Sequence, residues 1–265
     1  GTPAEEVLRS GGKIHLLENG AFDGAHAAMM THPAPWDVAT WPIVAAAFME
    51  VHYEGKSAHA AGFPEQGINA ADALTIAQTS IGLLRQHLRS TDRVHGMVTN
   101  GGDAFNIIPA HSSADYAVRA RNLQELDDVY EKVLRCFEAG ALATGSKLKL
   151  VGGDKPFAHL EHDLDIATLY QKNAEALGRK FPALGESNPA TPVSTDMGNV
   201  SLKLPTIHPA IGIDCLPAVN HQPEFTEACA TDSAMQALYD GSVAMAWTMI
   251  DLAVEGKIKE RLLGM

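Results

Sequence analysis

The chain has 265 residues, of which 46% are apolar, and a formal net charge of -12. That length suits one large domain or two ordinary ones with a packed core, and the lack of any Lys/Arg-rich run speaks against nucleic-acid binding through phosphate contacts. The longest apolar stretches, such as IVAAAFM at 43–49, fall far short of the roughly 20 residues a membrane-spanning helix needs.

The first block is 1–43. It opens GTPAEEVLRSGGK, with adjacent carboxylates at Glu5 and Glu6. Side by side, such acids repel each other. They serve either as a solvated helix start, where the dipole favours negative charge, or as a base beside a metal ligand. GGKIHLLENGAF has the length of a short helix, and Gly20 is placed to stop it in a left-handed turn. AHAAMMTHP reads as a buried strand whose C-terminal end carries His32.

The second block is about 44–155. MEVHYEG alternates, with Met49, Val51 and Tyr53 on one face and Glu50, His52 and Glu54 on the other, as in a half-buried strand. From Gly67 to Arg89 the positions Leu74, Ala77, Ile81, Leu84 and Leu88 recur at spacings of three and four, which predicts an amphipathic helix. VHGMVTNGG is a strand ending in a glycine turn. In SSADYAVRARN the residues Ala114, Tyr116, Val118 and Ala120 share one face, and Asp115, Arg119 and Arg121 the other. Asn122 and Glu125 form a helix start signal, and Leu126, Val129, Val133 and Phe137 are the packed stripe of the helix that follows. KLKLV closes as a strand. The order β-α-β-β-α-β is the ferredoxin-like arrangement, which leaves one sheet face uncovered.

The third block is 156–265. A helix is expected over about 163–177, stopped near Gly178. The segment NPATPVSTDMGN reads as a loop, VSLKL and AIGI as short strands, and about Asp232 to Val254 as a long helix. Blocks one and three together form a single α/β domain interrupted by block two. Cys136, Cys215 and Cys229 are odd in number and lack C-x-x-C spacing, so no disulfide framework is expected, and a reducing, cytoplasmic setting is.

Three residues stand out with Glu5 and Glu6. His32 ends an apolar strand, His221 lies in the polar stretch AVNHQPEF, and His59 lies in GKSAHAA. Singly, each is an ordinary loop or surface histidine. Glu6, His32 and His221 together are oxygen and nitrogen donors of the kind zinc or manganese takes.

The motifs GTPAEE, GGK, the strand ending in His-Pro, GKSAHAAGFPEQGINAADA, FNIIPAHSSADYAVRAR, STDMGNVS and NHQPEFTEA occur in one order along nearly the whole chain. In this the sequence resembles the M20 metallopeptidases, and within them the amidohydrolase branch. The resemblance implies a zinc-peptidase-like α/β catalytic domain carrying an inserted lid and dimerisation domain. It also implies that a segment with a His-x-Asp motif and a further metal-bridging residue precedes the Glu-Glu pair. The chain is therefore expected to be a fragment lacking the N-terminal strands of the catalytic domain.

By the same resemblance two divalent cations are expected, zinc first and manganese as the alternative. Glu6 and His32 would ligate one or share the pair, and His221 would ligate the other. Glu5 would be the general base, taking a proton from the attacking water and returning it to the leaving amine. His59 would stabilise the oxyanion, often in the partner subunit's site. Asn106 and Arg119 would hold the substrate's carboxylate, where a guanidinium pairs in a bidentate fork. Ser194 and Thr195 would line the substrate pocket, and His208 is a weaker pocket candidate. A homodimer through the lid block is implied, acting on a dipeptide, an N-acyl amino acid or an aminobenzoyl-glutamate-like compound.

Two rival readings remain. The chain alone could be an inactive oligomerisation or binding module. A serine hydrolase built on Ser194 and Asp196 is disfavoured, because no G-x-S-x-G elbow occurs.

Overall fold

The computed structural model describes residues 11–184 and 193–264. Glu5 and Glu6 lie outside the described residues. In chain order the elements are α1 (Gly12–Glu18), β1 (Ala28–Met29), β2 (His32–Ala34), β3 (Ala45–Glu54), α2 (Ala70–Leu84), β4 (Arg93–Asn100), β5 (His111–Ala120), α3 (Leu123–Thr144), β6 (Lys147–Gly152), α4 (Leu164–Ala176), α5 (Met197–Ser201), β7 (Thr206–Ile207), β8 (Ala210–Gly212), α6 (Pro223–Ala228), α7 (Asp232–Val254) and α8 (Gly256–Leu263). Among the described residues no helix is long and apolar enough to cross a membrane. The described residues divide into two compact units, Val44–His159 with 11–15, and Leu16–Ile43 with 160–184 and 193–264.

The first unit is the β-α-β-β-α-β arrangement that the hydrophobic periods predict. Its antiparallel sheet has the order β4-β5-β3-β6. The register Ala45↔Ala120 to Glu54↔His111 runs the full length of β3 and β5. Alternation then sorts the side chains by face. Met49, Val51, Tyr53, Ala114, Tyr116 and Val118 are buried with Leu74, Ala77 and Ile81 of α2 and Leu126, Val129, Val133 and Phe137 of α3.

Local chemistry starts both helices. Asn69 accepts from Ala71 N and Asp72 N at the head of α2, and Asn122 accepts from Glu125 N at the head of α3. Each satisfies backbone donors that the first turn leaves open. Gly145, with φ 74°, ends α3 in the left-handed region, as helix C-termini favour. The two helices lie very close at Gly140, where a Cβ would stand 2.2 Å from Ala73 O. The Tyr53 hydroxyl donates to Phe137 O at 2.8 Å. This bond satisfies the one polar atom that β3 sends into the core.

The second unit is built on short parallel pairings, β1 with β7 and β2 with β8. Helices α4 and α7 pack on it through Ile166, Tyr170, Ile207 and Ala244. Here the sequence reading needs two corrections. The run AHAAMMTHP is two strands, and His32 opens the second of them. The break has a cause. Met30 N donates to Ile207 O and His32 N to Pro209 O, but Pro209 has no N–H to return to the ladder. The second correction concerns VSLKL, which is no strand: Val200 and Ser201 end α5, and the rest is a turn. Thr195 Oγ1 accepts from Met197 N at 3.2 Å, and Ser201 Oγ donates to Gly198 O at 2.7 Å. These local bonds favour a turn of helix over a strand, and Met197 and Val200 are buried against Ile43 and Leu160.

Arg179 makes a partly buried ion pair in the second unit. Its Nε lies 2.9 Å from Asp240 Oδ2 and its Nη1 3.8 Å from Asp37 Oδ1. Asp37 in turn accepts from Gly212 N at 2.7 Å. Tyr170 is buried nearby, and desolvation pushes its hydroxyl pKa up to about 12.

Candidate active site

In the second unit, β2 begins at His32 and pairs in parallel with β8 from Ala210. The tripeptide His-Pro-Ala occurs on each side of this pairing, at 32–34 and 208–210. The two histidines consequently come together, with ring centroids 5.9 Å apart. Trp41 completes the cluster, 6.1 Å from His208 in a stacked arrangement and 6.4 Å from His32. The indole is fixed by a 2.7 Å bond from its Nε1 to His208 O. Its own carbonyl accepts from His162 Nε2 at 2.9 Å. His208 is buried and His32 exposed.

His32 Nδ1 lies 2.7 Å from Pro33 O. A carbonyl only accepts, so Nδ1 carries the hydrogen and Nε2 keeps its lone pair. That is the tautomer a metal ligand needs, with the second nitrogen oriented by a backbone acceptor.

His221 sits in a tight turn from Val219 to Gln222. Gln222 N donates to Val219 O at 3.2 Å, and Val219 N donates to Gln222 Oε1 at 3.0 Å. His221 has φ 71°. A positive φ at the third turn position, following an ordinary second position, is the type II pattern, in which glycine is the usual occupant. A histidine there carries strain of about 1 kcal/mol or more. Asn220 Nδ2 donates to Pro33 O at 3.1 Å, so the His221 turn is tied to the peptide that orients His32.

Both histidines therefore fit a divalent cation by donor type, and His32 also by tautomer. Among the described residues no three His, Cys, Asp or Glu side chains gather around one point. Glu6, the third expected ligand, and Glu5, the expected base, lie outside them. Ser194 and Thr195 precede α5. Thr195 spends its hydroxyl oxygen on Met197 N.

The first unit holds the remaining expected residues. His59 and Asn106 lie on paired segments: His59 bridges Ile107, Ala60 N donates to Asn106 O at 3.0 Å and Ile108 N to Ala58 O at 2.9 Å. His59 Nδ1 accepts from Gly62 N at 3.0 Å and Ala61 N at 3.3 Å. Nδ1 is thus the acceptor, and Nε2 carries the hydrogen. The exposed His59 therefore presents a hydrogen-bond donor, which suits an oxyanion.

Arg119 leaves β5 on the face away from the helices. Its Cζ stands 5.7 Å from the Phe48 ring centroid, a cation–π distance. Its Nε donates to His95 Nε2 at 3.4 Å. Burial pulls the Arg119 pKa below its ordinary value. Burial first, and then the Arg119 charge, push His95 down, so the imidazole stays neutral and able to accept. Arg121, by contrast, is an exposed residue 3.9 Å from Glu125.

Sequence reasoning passed over Trp41, His95, His162 and Asn220, and ranked His208 low. The doubled His-Pro-Ala was a usable signal for His208. Nothing local marks Trp41 or His95, whose places depend on strand pairing.

Residues 45–144 match the Peptidase dimerisation domain. The chain is 37% identical over 262 residues to the Xaa-Arg dipeptidase of Mus musculus, a match covering 98% of this chain and 60% of that protein. It is 32% identical over 149 residues to one of the subunits of the p-aminobenzoyl-glutamate hydrolase of Escherichia coli, covering 54% of this chain and 30% of that one. A dinuclear metal-binding M20 peptidase from Bacillus subtilis has the same fold, with a TM-score of 0.59 at 17% identity, over 89% of this chain and 60% of that one. The chain thus spans only part of the length of these proteins. Residues 45–144 thus carry the dimerisation domain of M20 peptidases, and the chain as a whole is similar to peptidases and amidohydrolases of that family.

Proposed function

We propose that the protein is a metal-dependent hydrolase that cleaves an amide bond next to a free carboxylate. The substrate classes are a dipeptide, an N-acyl amino acid or an aminobenzoyl-glutamate-like compound. The likeness to Xaa-Arg dipeptidase favours the dipeptide. The observation that carries the reading is the shared acceptor at Pro33, which orients His32 Nδ1 and anchors the His221 turn.

His32, His221 and Glu6 would hold the divalent cations, two in number, with zinc the first expectation and manganese the second. A bound divalent cation acidifies the attacking water and polarises the scissile carbonyl. Glu5 takes the proton from the attacking water and delivers it to the leaving amine. His59 donates its Nε2 hydrogen to the developing oxyanion, a contact that strengthens as negative charge builds up. Arg119 and Asn106 pair with the substrate's carboxylate. Ser194 and Thr195 line the pocket. The insert of about 44–155 is the lid and dimerisation domain, and the working assembly is a homodimer.

Replacing Glu5 by Gln in the full-length polypeptide tests the chemistry. The expected result is loss of dipeptide turnover with metal content unchanged by elemental analysis. Ordinary turnover in E5Q would remove the base assignment. A chain that holds no metal and hydrolyses none of the three substrate classes would favour a binding or oligomerisation module instead.

A further inference from the structure

The outward face of the first unit's sheet carries a second histidine cluster that the proposed hydrolysis does not use. His52 of β3 and His111 of β5 point head to head, with His52 Nδ1 3.3 Å from His111 Nε2. Their ring centroids are 5.6 Å apart. On the far side of His52, Nε2 lies 3.2 Å from Glu50 Oε2. Glu54 stands directly across the β3–β5 ladder from His111, so their Cβ atoms are about 5 Å apart on one face.

The tautomers follow from Glu50. A carboxylate accepts, so His52 Nε2 carries the hydrogen and Nδ1 holds a lone pair. That lone pair faces His111 Nε2. Two imidazole nitrogens at this separation are bridged either by one hydrogen, carried by His111 Nε2, or by a metal ion. The spacing is also the N···N edge of a tetrahedral site with bonds of roughly 2.0–2.1 Å, which is about 3.3–3.4 Å. Each ring has to tilt by roughly 35° off the N···N line for both lone pairs to meet on the ion. His111 is exposed, and the His52 side chain is 26% exposed, so His111 has the freer ring. Glu50 then stands to His52 as an outer-shell carboxylate stands to a metal-bound imidazole, fixing its tautomer and raising its basicity.

We propose that His52 and His111, with Glu50 behind His52 and Glu54 across from His111, form a binding site for one divalent transition-metal cation on the open sheet face. Zinc and copper(II) fit the imidazole donors, and the hard cations magnesium and calcium do not. The two imidazoles are the protein donors, since no third His, Cys, Asp or Glu side chain gathers with them among the described residues, and water completes the shell. The cation takes the place of the bridging hydrogen.

The test uses the full chain carrying His32→Ala and His221→Ala, which removes the other nitrogen donors under discussion. Copper(II) and zinc are titrated separately, with bound metal read by equilibrium dialysis and the copper spectrum by electron paramagnetic resonance. One site of micromolar affinity is expected, with nitrogen hyperfine structure from two imidazoles. His111→Asn, at an exposed position, should lower that affinity at least tenfold and remove one nitrogen coupling. Glu50→Gln should weaken binding about tenfold through the lost outer-shell contact. Binding that is unchanged in H111N, a spectrum with fewer than two nitrogens, or no binding in the His52/His111-intact chain would each overturn the site.

Discussion

Asn220 and His32 meet at one atom. The Asn220 amide donates to Pro33 O at 3.1 Å, and His32 Nδ1 lies 2.7 Å from the same oxygen. The two expected nitrogen ligands, 189 positions apart in sequence, are thus referenced to one peptide group. Asn220→Ala removes the tie and leaves both imidazoles in place. Metal affinity is expected to fall by roughly tenfold to a hundredfold, as for other outer-shell contacts, with little change in the unfolding midpoint. Equilibrium dialysis beside a thermal melt checks this, and unchanged affinity would remove Asn220 from the site.

His221 offers a second test, because its backbone and its ring make opposite demands. At φ 71°, glycine relieves a left-handed strain of about 1–2 kcal/mol. His221→Gly is therefore expected to hold or raise stability while hydrolysis is lost. A plain structural histidine would show the reverse pattern, lower stability and intact turnover. Chemical denaturation and a dipeptide assay, run on the same preparation, separate the two.

Arg119→Ala should act on substrate affinity. Losing a charge-assisted pair to a carboxylate costs about 2 kcal/mol, which corresponds to a rise of roughly thirtyfold in KM. kcat should change far less. A large fall in kcat at constant KM would place Arg119 elsewhere in the chemistry.

Gly140 tests the packing of α2 on α3. A methyl there meets Ala73 O at 2.2 Å and Tyr53 Oη at 3.2 Å. The helices must move apart, so Gly140→Ala is expected to destabilise the first unit by about 1–3 kcal/mol. Its higher helix propensity offsets only about 1 kcal/mol of that. Urea denaturation gives the difference directly.

His162 gives the second unit a pH dependence. Burial lowers its pKa below the ordinary 6.5, against the opposing bond to the Trp41 carbonyl. Between the lowered folded value and about 6.5 the unfolded chain binds more protons than the folded one, so stability rises with pH in that window. The contribution is complete above about pH 6.5 and is lost on acidification. His162→Gln should flatten the melting temperature between pH 7.5 and 5.5. A wild-type melting temperature already flat over that range would contradict the assignment.

The first unit was legible in the sequence because its signals are periodic and local. Met49, Val51 and Tyr53 alternate as a half-buried strand must, Leu126 to Phe137 repeat as a helix must, and Asn122 caps where a cap is needed. The second unit was read less well. Its strands are two or three residues long, too short for any period to show. Whether MMTHPA is one strand or two is decided by Pro209, far away in the chain. VSLKL alternates like a strand, but the hydroxyl bonds before it start a helix. The roles of His32, His59 and Arg119 were suggested by family motifs, whereas their settings, through Trp41, Gly62 and His95, come from the pairing of distant segments.

The parallel pairing of β2 with β8 also limits how this chain can change in length. Successive strand residues face opposite ways, so one residue added between Met29 and His32 would turn His32 away from Trp41 and His208. The stretch from Gly20 to Ala27, which precedes β1 and includes the left-handed Gly20 and Gly24, has no such constraint. Insertions and deletions among descendants of this sequence should gather there and spare the four residues ahead of Pro33.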